Sequence, residues 1–278
     1  MMNYMRFPGG KSKVLTLSYD DGVNSDIRFI DILDRHGIKC TFNINTGLFG
    51  LVSNPIHKRL SKEDAIKVYS NPNHEVAVHT LTHPFLEQMP REACTYEVLQ
   101  DRINLEQMFG KPIRGMAYPF GTYSDDVVET LKSCGIVYSR TTLNDFSFKL
   151  PKDWLRLVPT CHHRNPQLIE LCDKFLEMRE DRSPYMFYLW GHTYEFDNAN
   201  NWDVIENFAE KMGGHDNIWY ATNIEIYDYI ESYKRLQFTA DNTLVYNPTN
   251  TELFFYTNIG PSNNKTLSVK PGETLKIK

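Results

Sequence analysis

The run Val14-Leu15-Thr16-Leu17-Ser18-Tyr19 ends in two adjacent carboxylates, Asp20 and Asp21, followed by Gly22. Neighbouring strand residues point to opposite faces, so an ordinary solvated strand end has little use for both. Asp-Gly is also a common turn pair. Two like charges side by side equally suit a cation held between or beside them. A second polar stretch, Val76-Ala77-Val78-His79-Thr80-Leu81-Thr82-His83-Pro84, ends a strand-like run in two histidines four residues apart. In a helical turn such positions share a face, and the two imidazoles can converge on one ion. Two histidines and one carboxylate make a common catalytic zinc set with one position open to water. Taken alone, the spacing also describes a capped turn in which Thr80 and Thr82 satisfy backbone groups.

The elements that must carry these residues alternate along the chain. After the first strand, residues 24–37 have helical apolar spacing, Asn24 or Ser25 as cap and Gly37 as stop. Residues 39–44 read as a strand and 61–70 as a helix with a capping box from Ser61 to Asp64. Residues 75–79 are strand, and 90–110 a long helix opened by Pro90 and closed by Gly110. Strand 114–118, helix 123–135 and strand 136–140 follow. A helix over 165–181 has Asn165 as cap and Pro166 at its first position. Strand 185–192, helix 201–214, strand 218–222 and helix 223–236 complete about seven β/α units. Regular alternation with short connections implies right-handed crossovers and a parallel sheet. The expected fold is a closed or nearly closed β/α barrel over 1–235, an open doubly wound sheet being the alternative. From 236 to 278 the pattern changes to short alternating strands and turn pairs such as Asp241-Asn242, Asn247-Pro248 and Pro271-Gly272. That segment is expected to form a small all-β appendage packed on the barrel.

The bulk numbers bound the function. At 278 residues the chain can bury a full core. A net charge of −5 with mixed signs argues against a nucleic-acid groove and an anionic membrane surface. No apolar run reaches the length of a membrane span, and residues 1–13 show no apolar signal-peptide core. The chain therefore reads as cytoplasmic, or as extracytoplasmic with a leader trimmed away. Five scattered cysteines (Cys40, Cys94, Cys134, Cys161, Cys172) form no CxxC pair and suit free thiols. The 13% aromatic content serves the core, with a surplus able to stack on sugar rings.

Location sharpens the polar motifs. Asp20 and Asp21 follow the first strand, His79 and His83 the third, Pro119-Phe120-Gly121 the strand 114–118, and His192 the strand 185–192. In a β/α barrel the residues just after the strands meet at one mouth, where active sites form. At this point the motifs carry a resemblance. Thr16-Leu17-Ser18-Tyr19-Asp20-Asp21-Gly22 resembles the Thr-Phe-Asp-Asp-Gly motif of the polysaccharide deacetylase family (carbohydrate esterase family four, the chitooligosaccharide deacetylase homology domain). His79-Thr80-Leu81-Thr82-His83 is similar to its His-Ser/Thr-x-x-His motif, Tyr118-Pro119-Phe120-Gly121 to the tail of its third, and Tyr188-Leu189-Trp190-Gly191-His192 to its last. The resemblance covers residues 13 to 225 in motif order.

It implies a distorted barrel that hydrolyses N-acetyl, sometimes O-acetyl, groups on sugars with a divalent metal, usually zinc, with cobalt or nickel in some members. It implies Asp20 as catalytic base, Asp21, His79 and His83 as metal ligands, and His192 as general acid. Tyr118, Pro119, Phe120 and Trp190 are the expected substrate contacts, with a backbone N–H near Phe120 as an oxyanion donor. Acetylated carbohydrate is the expected partner. One departure stands out: Ala117 occupies the place of the family's third-motif arginine, leaving Arg114, Arg140 or Arg156 to orient Asp20. Asp153 or Trp154 could border the cleft in place of the fourth motif. Cys161-His162-His163 lacks a partner at zinc-like spacing and reads as a strand or loop end. Glu195, three residues past His192, either tunes that histidine or is a plain helix or loop carboxylate. Asp125 and Asp126 suit a helix first turn, and Asp26 a helix start. A non-sugar amide or formamide substrate, or an inactive carbohydrate-binding barrel, are the competing readings.

Overall fold

The computed structural model describes residues 2–52, 58–180, 183–258 and 264–277. Fourteen strands and eight α-helices are present among them. The strands are β1 (Met2–Arg6), β2 (Lys13–Asp20), β3 (Cys40–Ile44), β4 (Glu75–Val78), β5 (Gly115–Ala117), β6 (Tyr138–Arg140), β7 (Cys161–His162) and β8 (Tyr185–Gly191), then β9 (Ile218–Tyr220), β10 (Gln237–Phe238), β11 (Leu244–Tyr246), β12 (Leu253–Asn258), β13 (Lys265–Val269) and β14 (Thr274–Lys276). The helices are α1 (Asp26–Arg35), α2 (Lys62–Tyr69), α3 (Arg91–Phe109), α4 (Asp125–Ser133), α5 (Leu168–Glu177), α6 (Tyr194–Ala199), α7 (Asp203–Met212) and α8 (Asn223–Tyr233).

The parallel sheet runs β6-β5-β4-β3-β2-β8-β7, with β9 beside the start of β2. Strand β2 is its axis, and every one of its residues is buried. Lys13–Tyr19 pairs with β8, while on the other edge Lys13–Leu15 meets β9 and Leu17–Asp20 meets β3. Strand β8 is apolar nearly throughout, as a strand covered on both faces needs, whereas β2 and β3 alternate. Leu15, Leu17, Tyr19, Cys40, Phe42 and Ile44 enter the apolar core, and Thr16, Ser18, Asp20, Thr41 and Asn43 are buried polar residues of the opposite face. The curled sheet with its outer helices is the distorted (β/α)7-type barrel that the alternation and the resemblance together anticipate. Helix α1 shows how the outer layer is held: it turns Phe29, Ile30, Ile32 and Leu33 onto the sheet, each burial contributing about 1.5–3 kcal/mol.

Local differences have physical causes. Ser25 stands at the N-cap of α1 but donates its hydroxyl to Asp197, and it is Asp26 Oδ2 that accepts a backbone bond, from Val23 N–H at 3.3 Å. Helix α5 begins at Leu168 rather than Pro166, because Asn165 Oδ1 accepts Gln167 N–H at 2.8 Å and closes a turn first. The short α6, unforeseen in the pattern, ends at Asn200 in left-handed conformation.

The C-terminal segment forms two antiparallel three-stranded sheets, β10-β11-β14 and β1-β12-β13. The second takes a strand from the start of the chain, with Met2 opposite Asn258 and Arg6 opposite Phe254. Val245, Phe255, Val269 and Ile277 are the fully buried residues of a satellite core.

Candidate active site

The two adjacent aspartates end up on one side because the backbone breaks alternation between them. Asp20 closes β2, and Asp21 takes φ 88°, a left-handed conformation that costs a non-glycine residue about 1–3 kcal/mol. As a result Asp20 Oδ2 and Asp21 Oδ1 both lie 3.9 Å from His79 Nε2. His83 Nε2 is 3.9 Å from the same Asp21 oxygen. Asp21 Oδ1, His79 Nε2 and His83 Nε2 fall within 4.8 Å of one another.

The histidine pair does not converge through a helical turn. Thr80 and His83 have φ 66° and 61°, and the segment is an irregular loop. Its polar groups are tied mainly from outside: Thr82 N–H and Oγ1–H go to Glu97 at 2.8 and 2.7 Å and Asn45 Nδ2 donates to Thr80 O at 3.0 Å, while within the loop His83 N–H reaches Thr80 Oγ1 at 3.1 Å. The His79 ring is oriented by its other nitrogen: Nδ1–H donates to Ala117 O at 2.8 Å, which leaves the Nε2 lone pair facing the aspartates. Burial pushes the His79 pKa down to about 4, so the ring is neutral at pH 7.

Asp20 accepts from Asn43 Nδ2 at 2.8 Å and from the Arg140 guanidinium. Register supplies both partners, since Asn43 lies opposite Asp20 in β3 and Arg140 closes β6. Of the three candidate arginines it is Arg140, arriving from the strand beside Ala117, that reaches Asp20, while Arg114 pairs with Asp228 at 2.6 Å and Arg156 with Asp153 at 2.7 Å. Burial alone would raise the Asp20 pKa, but Arg140, His79 and His192 outweigh it and bring it down to about 2. Trp190 covers the Arg140 guanidinium at 4.6 Å and donates its indole N–H to Asn144 at 2.8 Å.

His192 faces Asp20 Oδ2 at 3.9 Å through Nε2, and its Nδ1 lies 3.6 Å from Glu195 Oε1. Desolvation opposes its charge, yet Glu195, Asp20 and Asp21 outweigh it and its pKa is raised. Glu195 in turn is half-buried, and despite the cost of burial His162, His163 and His192 hold its carboxyl far below the usual range. The residues anticipated as substrate contacts divide. Tyr118 is 1% exposed with its hydroxyl on Leu155 O at 2.8 Å, and Pro119 and Trp190 are buried too, so these three build walls. Phe120 is 48% exposed, stacked on Phe85 with ring centres 3.8 Å apart and edge-on to His83 at 4.5 Å. Asp153 instead caps the turn Trp154–Arg156.

Three contributors had no readable signal: Asn43, Phe85 and Arg59. Arg59 donates to Asp21 O, and its Nη2 sits 3.1 Å from Asp21 Oδ1. Pairing registers and loop returns of this kind leave no periodicity in the chain.

The donor set Asp21, His79 and His83 fits a divalent cation by one independent observation. Asp21 Oδ1 is buried without accepting any hydrogen bond of proper geometry, although Arg59 would have to share that carboxylate with the ion.

Residues 7–139 match the family described as polysaccharide deacetylase. A chitooligosaccharide deacetylase of Sinorhizobium fredii is 27% identical over 143 residues, covering 50% of this chain and 59% of that protein. The chain thus matches well under two thirds of that relative's length. A putative polysaccharide deacetylase of Mycobacterium smegmatis superposes with TM-score 0.58 at 16% identity, over 83% of this chain and 94% of the other. The family 4 carbohydrate esterase of Streptomyces lividans, solved with acetate, gives 0.50 at 14% identity, over 75% and 91%. These two likenesses carry the barrel fold.

Proposed function

We propose, from the match of residues 7–139 to the polysaccharide deacetylase family, that the chain is a member of that family and a metal-dependent hydrolase removing acetyl groups from an amino sugar or oligosaccharide. The observation that supports this reading is the convergence of Asp20, Asp21, His79, His83 and His192 at one barrel mouth. Asp21, His79 and His83 would hold the cation, and a two-nitrogen, one-oxygen set favours zinc, with cobalt or nickel also accommodated. When bound, such an ion supplies Lewis acidity toward the acyl oxygen and an attacking water.

The chain's own residues do the rest. Asp20, fixed by Asn43 and Arg140, accepts a proton at Oδ2, the oxygen facing both His79 and His192. A carboxylate at about 2 is too weak a base for bulk water, so its role requires a water already acidified. His192 carries a proton on Nε2, turned to the mouth by Glu195 behind it, and delivers it to the departing nitrogen. An amide needs that acid, because an amide anion does not leave. Phe120 and Phe85 offer an exposed aromatic face beside His83, which suits the apolar face of a pyranose and favours a sugar over a small formamide.

Acetate release from N-acetylglucosamine oligomers by the zinc-loaded protein tests the reading. Release that Asp20→Asn abolishes while metal is retained supports a hydrolase. No release, with glycan affinity unchanged in Asp20→Asn, makes the protein a binding module. Turnover confined to simple amides moves the substrate away from sugars.

A further inference from the structure

Where β7 gives way to α5, a second histidine–carboxylate group shares a signature with Asp21, His79 and His83 but none of their residues. His162 Nε2 and His163 Nε2 each lie 3.1 Å from Glu195 Oε2, and the three atoms fall within 4.8 Å of one another. His163 Nε2 and Glu195 Oε2 are buried, yet neither makes a hydrogen bond of proper geometry, the condition also found at Asp21 Oδ1. Buried polar atoms left this way cost about 1–3 kcal/mol each, unless a third body lies between them.

The surroundings form a built site. The His163 side chain is 1% exposed and stacks on Tyr19 and Phe196, with ring centres 5.7 and 4.2 Å away. Its Nδ1 meets the Tyr19 hydroxyl at 3.2 Å. Gly191 makes the room: a Cβ there would come within 2.0 Å of His163 Nδ1.

We propose that Glu195 Oε2 and His163 Nε2, joined by His162 Nε2, hold a second divalent cation of the zinc class. His162 is the weakest of the three. Its Nδ1 accepts Arg164 N–H at 3.1 Å, which places the ring proton on Nε2, so ligation means giving up that contact. Arg164 Nη1, 3.6 Å from Glu195 Oε1, is on a side chain 64% exposed that can swing into solvent. The cation would fix one oxygen of Glu195 while the other stays 3.6 Å from His192 Nδ1. It would act as a positioning ion for the ring that faces Asp20.

Metal counting tests this on the full chain, equilibrated with excess zinc and then freed of loosely held metal. Two zinc ions per chain are expected, one in His79→Ala, one in His163→Ala and none in the double variant. Glu195→Gln, which preserves shape and carries the test should His163→Ala fail to fold, also keeps one. His162→Ala weakens the second site by about tenfold, the scale of lost ligand support. A single zinc lost in Glu195→Gln but kept in His79→Ala would uphold this site and count against the first. A single zinc that Glu195→Gln retains overturns the inference, as do two zinc ions both retained there. No zinc in the wild type overturns it too.

Discussion

The two sides of the barrel mouth are built by different means. On the β2–β4 side, functional atoms are aimed by strained backbone: Asp21, Thr80 and His83 have φ of 88°, 66° and 61°. On the β6–β8 side, Arg140, His162, His163 and His192 have no left-handed backbone. They are aimed by burial instead, through stacking and charge pairing that radiate from Glu195 and Trp190. Strain within a few residues is a local property. A buried ion network depends on side chains from several strands, so it fails or holds as a unit. The lesson is one of degree: the β2–β4 side combines local strain with a few outside ties from Glu97, Asn45 and Arg59, whereas the β6–β8 side rests on its network alone.

Breaking the comparison at its hinge gives the largest effect. Asp20→Asn is isosteric and keeps the fold, and kcat is expected to fall by about 10²–10⁴-fold, the range for general acid–base groups, with metal content unchanged. Steady-state acetate release beside metal analysis checks it. Next comes Arg140→Met, which strands the Asp20 charge in a buried place. The loss expected is about 3–5 kcal/mol of stability, read by urea denaturation, together with a rise of the Asp20 pKa. A fall under 1 kcal/mol would mean that the β6–β8 side is as tolerant as the other.

Smaller effects sharpen the contrast. Phe120→Ala removes an exposed ring, so the expected result is a KM for oligosaccharide raised roughly 3- to 10-fold at nearly constant kcat, matching about 0.5–1.5 kcal/mol for an aromatic contact. Kinetics on an acetylated monosaccharide should show a smaller change. A pH-dependent effect away from the mouth concerns Glu75, buried beneath the sheet and bonded by Tyr138, Thr41 and Ile224 N–H at 2.6–2.9 Å. Burial outweighs these bonds and raises its pKa to about 7. An acid whose folded pKa is raised disfavours the folded state once ionised, so stability drops as pH climbs from about 4.5 to 7 and is flat beyond. Thermal denaturation of Glu75→Gln should lose part of that slope, and an unchanged slope would refute the assignment.

The difference between the two sides also explains what could be read without coordinates. The strand–helix alternation, Asp20-Asp21-Gly22 and His79-x3-His83 lie within short windows, where side-chain periodicity and strand ends speak directly. Even there the mechanism differed, because a left-handed loop and not a helical turn brings His79 and His83 together. Arg140 was one of three candidates, and only the pairing of β5 with β6, which sets Ala117 opposite Arg140, chose it. Glu195 is legible as a possible partner of His192 three residues away, but not of His163, because a carboxylate in α6 and a histidine after β7 are 32 positions apart. Strand β1 was invisible, since its partner β12 lies some 250 residues away.

By itself the sequence determined the strand–helix alternation of the barrel class, the polar motifs at the ends of β2 and β4 and the position of His192 at a strand end. The tertiary structure decided which arginine secures Asp20, which aromatic ring stays exposed, and that His162, His163 and Glu195 meet at all. The physical reason is range. Backbone propensity and side-chain period act over a few residues, whereas burial and electrostatics act across space and take their partners from sheet register.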